Sequence, residues 1–271
     1  MLNDILVHID DTSAGALRLV YALELAGRHG AELTGVHVTP PPDPPTVFKP
    51  SLVEEASEEL AKRHLAAASH AKANFDQVTA LRGVKARWLA LAGDMIPRLC
   101  EAARYTDLVV LGPYERQNPG ERHPLSLAEG VVLKSGRPVL VVPAKVQTAQ
   151  LHRALIAWDG GREAVRAVHD ALPLLQRANA TVEIVTLDDG EGPALAPLAE
   201  HLKRHHLKVE NRVHAPVGGE MGAALAERVR SGHFDLLVMG GYGQPVWLEF
   251  LFGSTTASAL EQSHAPVLVS H

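Results

Sequence analysis

Only one cysteine, Cys100, occurs in the 271 residues, and aromatic residues make up just 4% of them. A lone thiol excludes an internal disulfide and any metal cage built from several cysteines. No apolar run approaches the roughly 20 residues that a membrane-spanning helix needs. Positive charge is also short: the formal net charge is −5 and the pI is near 6.3. General attraction to nucleic acid or to an anionic membrane is therefore not expected. The opening MLNDILVHIDD has no basic stretch ahead of an apolar one, so a signal peptide is not expected. What remains is a chain rich in Ala, Leu and Val, long enough for one large domain or two ordinary ones. The expectation is a soluble α/β protein of the cytoplasm.

The chain repeats itself. TDLVVLG (106–112) matches FDLLVMG (234–240), and GRPVLVVP (136–143) matches HAPVLVSH (264–271). Asp107 and Asp235, Gly112 and Gly240, and Pro138 and Pro266 are each separated by 128 residues. A constant offset over three features points to an internal duplication. The two beginnings, DILVHIDDTSAGALRLVYALELA and RALIAWDGGREAVRAVHDALPLL, also match, with Asp10 and Asp159 separated by 149. The first half thus carries about 21 extra residues, expected in the proline-rich TPPPDPPTVFKPS (39–51) and the helix after it. The halves are placed at 1–143 and 152–271, with a polar connection between them.

Short apolar runs alternate with helical patterns. Strands are predicted at 5–9, 32–38, 85–90, 108–111 and 139–142, then at 154–158, 181–186, 208–213, 236–239 and 267–270. Helices such as 13–29, 161–176 and 220–230 lie between them. Runs like LVVL are apolar on both faces, as parallel strands covered by helices on either side must be. Right-handed crossovers make each half an open doubly wound sheet.

In such a sheet, ligands bind at the carboxyl ends of the strands near the topological switch point. Asp159 ends the first strand of the second half and Gly240 ends its fourth. The spacing there is Gly240-x2-Gly243-x9-Gly253-Ser254. Glycines let backbone N–H groups approach an anion without a Cβ in the way. Gly253 and Ser254 open a predicted helix whose free N–H groups favour phosphate, and the hydroxyls of Ser254 and Thr255 add donors. Taken singly, each glycine reads as a turn or helix-cap residue rather than a phosphate contact, and Ser254 as an ordinary N-cap. The spacing as a whole argues for a polyphosphate cradle. A G-x-x-x-x-G-K-[ST] loop is absent, and GYGQPV lacks the third glycine of a dinucleotide fingerprint.

This pattern, with an apolar strand ending in Asp at the start of the unit, resembles the ATP-binding branch of the universal stress protein family. The resemblance covers both halves. It implies two tandem doubly wound domains, each a five-stranded parallel sheet in the order 3-2-1-4-5 flanked by helices. It also implies ATP, with or without magnesium, in the second half. There Ala157 and Asp159 would lie near the adenosine, and Gly240, Gly243, Gly253, Ser254 and Thr255 would hold phosphate. Asp159 would accept from the ribose hydroxyls, or else cap the helix that begins at Gly161. The resemblance further suggests that the fifth strands of the two halves pair, and that chains associate as homodimers.

The first half departs from the pattern. The offset of 128 puts Glu115 opposite Gly243 and Leu125 opposite Gly253, while Ser126 keeps the hydroxyl. A carboxylate facing a triphosphate is repulsive, so one nucleotide per chain is expected. No residue stands out as a base for attacking water. The leading reading is a nucleotide-dependent stress-response module without catalytic residues and at most a weak ATPase. The alternatives are a slow ATPase or nucleotidyl-transferring enzyme, or a scaffold that binds no nucleotide. His201 and His205, one helical turn apart, lack a recognisable third ligand and read as a solvated helix end. Cys100 reads as core.

Overall fold

The computed structural model describes residues 1–41, 50–113, 127–146, 148–187, 194–215, 221–241 and 265–271. In chain order these form β1 (Asp4–His8), α1 (Ser13–His29), β2 (Glu32–Thr39), α2 (Pro50–Arg82), β3 (Ala86–Ala92), α3 (Met95–Ala103), β4 (Leu108–Leu111), α4 (Leu127–Ser135) and β5 (Val139–Val141). The second half follows with β6 (Arg153–Ala157), α5 (Arg162–Ala178), β7 (Thr181–Leu187), α6 (Leu195–Arg204), β8 (Lys208–Ala215), α7 (Met221–Ser231), β9 (Leu236–Gly240) and β10 (Val267–Ser270).

Local chemistry sets the boundaries. α1 starts where the Thr12 hydroxyl accepts from the Gly15 N–H at 2.9 Å, and it stops at Gly30, whose φ of 69° needs a residue without a Cβ. The counterpart helix α5 ends likewise at Asn179 with φ 51°, a left-handed position that asparagine tolerates. The extra length of the first half appears as α2, 33 residues long, or about 50 Å of helix. It docks on β2 through Phe75, whose ring approaches Gly35 so closely that an added Cβ would meet it at 2.5 Å. Of the proline-rich connection, 42–49 lie outside the described residues.

All ten strands join one sheet, in the order β3-β2-β1-β4-β5-β10-β9-β6-β7-β8. The expectation of two five-stranded sheets is thus corrected to one ten-stranded sheet, joined where the two fifth strands pair, as the resemblance suggested. β5 and β10 pair antiparallel, with Val139, Leu140 and Val141 opposite Val269, Leu268 and Val267, whereas every other pairing is parallel. The physical reason is that each of these strands would otherwise be an apolar edge with unpaired N–H and C=O groups. Pairing them removes both edges, and strand direction reverses across the join.

The alternation of side chains then builds two cores. Ile5, Val7, Leu140, Ile156 and Leu268 face one way, packed with α1, α2, α5 and α6. Leu6, Val109, Val141, Leu155 and Val267 face the other way, toward α3, α4 and α7. Each core runs through both halves without a break, because the β5–β10 join carries the apolar stripes across. Cys100 is buried in the second of these cores. No helix among the described residues is long and apolar enough to cross a membrane.

Candidate functional site

The second-half switch point is assembled from β6, β9 and the first turn of α5. In register, Ile156 of β6 stands beside Val238 of β9, and Ala157 beside Val185 of β7. Ala157 is buried, and Asp159 emerges into solvent two residues later. Asp159 is not the N-cap of α5; that position belongs to Gly161. Its Oδ1 accepts from the Gly161 N–H at 2.8 Å, closing a turn typical of aspartate. Its Oδ2 has no protein partner among the described residues.

Gly240 closes β9 against the same helix start. A Cβ there would meet the Ala164 nitrogen at 2.5 Å and the Glu163 carbonyl carbon at 2.7 Å. Glycine is therefore required for the helix to sit this close to the strand end. Gly241 continues the approach, donating to Ser270 at 2.8 Å, while Nδ1 of His271 lies 3.1 Å from the Gly241 oxygen. The Glu163 carboxylate lies below its ordinary pKa. Its own backbone N–H contributes most to this, with Arg162 and His271 also lowering it. Ala157, Asp159 and Gly240 are thus brought together. Gly243, Gly253, Ser254 and Thr255 lie outside the described residues, as do Glu115, Leu125 and Ser126.

The first-half switch point has the same frame and different contents. Counterparts 149 residues apart put His8 where the second half has Ala157, and Arg18 where it has Ala167. The Arg18 side chain, only 6% exposed, runs back across the end of β1. Its Nε donates to the His8 carbonyl at 2.9 Å and its Nη2 to Asp10 at 2.7 Å. Its Nη1 fills the space in which a Cβ on Gly112 would stand. Asp10 also receives the backbone N–H and hydroxyl of Thr12. Burial raises its pKa, but Arg18 and Thr12 outweigh that and hold the carboxyl below its usual range.

His8 is buried, and burial together with Arg18 lowers its pKa to about 3, so it is uncharged at neutral pH. Its neighbour His37 stacks on Trp88, with ring centroids 6.0 Å apart, and its Nδ1 lies 2.9 Å from the Ile9 carbonyl oxygen. The crevice that would take a ligand is therefore occupied by the chain's own cation. Sequence reasoning located the loss of the first-half site in Glu115 and Leu125 and passed over Arg18 and His8. Aligning the halves at the offset of 149 contains that signal, since a charged and a polar residue stand against two alanines. His271 was likewise passed over.

The rings of His169, His201 and His205 lie in sequence, 5.3 Å and 4.6 Å between centroids. Among the described residues, no three metal-binding side chains are arranged to share an ion.

Residues 1–143 and 150–271 each match the universal stress protein family. Universal stress protein Slr1230 of Synechocystis sp. is 26% identical over 168 residues, which is 60% of this chain and 57% of that protein. The chain therefore spans little more than half the length of that relative. A universal stress protein from Archaeoglobus fulgidus shares the fold with a TM-score of 0.68, at 20% identity, over 99% of this chain and 96% of its own. A putative universal stress protein from Pseudomonas aeruginosa does so with a TM-score of 0.53, at 16% identity, over 99% and 93%. Both repeats carry the match, and the shared fold spans nearly the full length: this chain belongs to the universal stress protein family.

Proposed function

We propose that the protein binds one adenine nucleotide, ATP or a relative, at the switch point of its second half and acts as a nucleotide-dependent stress-response module. The observation that carries this reading is the contrast between two switch points built on one frame. In the first, Arg18 spans the crevice and engages Asp10. In the second, Ala167 takes the place of Arg18, and one carboxylate oxygen of Asp159 has no partner among the described residues. That oxygen suits a pair of ribose hydroxyls, and the small Ala157 leaves room for an adenine at the strand end. Gly240, Gly243, Gly253, Ser254 and Thr255 would supply the N–H and hydroxyl donors for phosphate. No residue at the described part of this site is placed as a general base, so the reading is of a binding module whose ATP turnover is slow at most.

The test is to release and identify any nucleotide carried by the purified protein and then to titrate ATP by calorimetry. One nucleotide per chain, lost in Asp159→Ala and in Gly253→Leu, is the expected result. Two per chain, or undiminished binding in both variants, would overturn it.

A further inference from the structure

α1 and α5 are counterparts, and where their last turns converge they line a half-open pocket of about 310 Å³. Its wall also includes Asp235 and Leu236, at the start of β9. It thus lies at the amino-terminal end of a strand whose carboxyl end, Gly240, faces the proposed nucleotide site. The volume equals that of about ten liquid waters, the lower end of the range for small-molecule sites. Leu25 and Leu174, equivalent positions on the two helices, both line it. Leu140 of β5 and Leu151 of the connection complete an apolar lining.

The polar groups in the wall are mostly donors. Arg28 and Arg177 are again equivalent positions. Arg177 Nε donates to the Arg28 carbonyl at 2.5 Å, and the rest of its guanidinium has no partner among the described residues. His29 is buried, and burial and nearby positive charge, Arg177 included, lower its pKa to about 4, so the ring is neutral. Its Nδ1 accepts from the Leu2 N–H, which leaves the proton on Nε2. The Tyr21 side chain is 6% exposed, and its hydroxyl makes no hydrogen bond to any described residue. Asp235, the carboxylate in the wall, is already engaged, accepting from the N–H groups of His152 and Arg153 at 2.7 Å and 2.9 Å. Nearby Glu24 is likewise held by Arg28 and by the Ala149 N–H.

Donors that no described residue engages, at one end of a pocket lined by leucines, suit a ligand with a hydrogen-bond-accepting anionic head and an apolar body. We propose that this cavity is a second ligand site, for a small organic monocarboxylate, with Tyr21 and Arg177 binding the carboxylate and Leu25, Leu140 and Leu174 packing its apolar part. The cations also complement the carboxyl ends of the two helices, but that role leaves the space between the helices unexplained. A ligand here would touch both halves at once and clamp α1 to α5.

The experiment is calorimetry on the full chain with straight-chain carboxylates from butanoate to octanoate, with octan-1-ol as the uncharged control, in the presence and absence of ATP. One carboxylate per chain is expected, with affinity rising about threefold to fourfold per methylene until the cavity is filled. Octan-1-ol, Arg177→Met and Tyr21→Phe should each weaken binding about tenfold or more, and saturating ATP should not displace the carboxylate. Arg177 is exposed and phenylalanine keeps the ring of Tyr21, so both variants should fold, which a thermal melt verifies. No binding up to about 10 mM, equal binding of the alcohol, unchanged affinity in both folded variants, or displacement by ATP would each overturn the proposal. Failure here leaves the nucleotide reading intact, because the ATP titration is measured separately in the same samples.

Discussion

Arg18 Nη2 stands 2.7 Å from Asp10 Oδ2 across the first-half switch point. At the corresponding place in the second half stands Ala167, and among the described residues Asp159 Oδ2 has no partner. Among the described residues, the second half thus lacks the ion pair that neutralises the first-half switch point. The buried guanidinium satisfies the strand-end carbonyl of His8 and the carboxylate together.

That asymmetry predicts the response to ATP. Saturation at about 100 times the dissociation constant should stabilise the protein by about 2.7 kcal/mol, the value for a single site. Gly253→Leu, which installs the first-half residue, should abolish the shift. The readout is the melting temperature with and without ATP for each variant.

Arg18→Met should destabilise the protein at neutral pH by about 3 kcal/mol, because it leaves a half-buried Asp10 without its cation. Asp10 has a lowered pKa in the folded state. Its ion pair therefore contributes fully above the ordinary carboxylate range, and that contribution is lost as pH falls through the folded value. The gap between wild type and variant should narrow below about pH 4. Urea melts at pH 7, 5 and 3 provide the check, and a gap that stays constant would count against the pairing.

The buried histidines predict a second acid effect with its own window. His8 and His29 titrate at about 3 and about 4 in the folded protein, well below the ordinary histidine value of 6.5. Between those values and 6.5 the unfolded chain binds protons that the folded one refuses, so stability falls as pH drops through that range. Each group contributes a slope of up to about 1.4 kcal/mol per pH unit. His8→Ala, the second-half residue, should flatten the curve, as measured by thermal melts from pH 7 to 4.

Gly35→Ala tests how the long helix is seated. The new methyl would meet Phe75 at 2.5 Å and Ile9 at 2.7 Å, forcing α2 off β2. A loss of about 1–3 kcal/mol is expected. Hydrogen exchange should localise the effect to α2 and the strand beneath it. Pairing Gly35→Ala with Phe75→Leu should recover part of the loss.

Much of this was legible in the chain itself. The offsets of 149 and 128 align β1 with β6, α1 with α5, β4 with β9 and β5 with β10, because each half repeats the periods that make buried strands and amphipathic helices. Gly240 could be located as a close-approach glycine because it ends a strand ahead of a glycine-rich turn. Other features could not be read in this way. An apolar VLV says that a strand is buried on both faces, but not which strand lies beside it. The join of β5 to β10, and with it the single sheet, depends on two edges more than 120 residues apart finding each other.

The same holds for the smaller features. Arg18 is an ordinary helix residue in sequence, and only the return of α1 over β1 brings its guanidinium to Asp10 and Gly112. The cavity between α1 and α5 belongs to neither repeat, since its walls come from both. By itself, then, the sequence determined the repeated α/β unit and the residue types at each strand end, since these follow from local periodicity and backbone sterics. Tertiary structure alone decided that the fifth strands meet antiparallel in one sheet, where the Arg18 side chain goes and where space remained. Those outcomes depend on how surfaces far apart in the chain pack together.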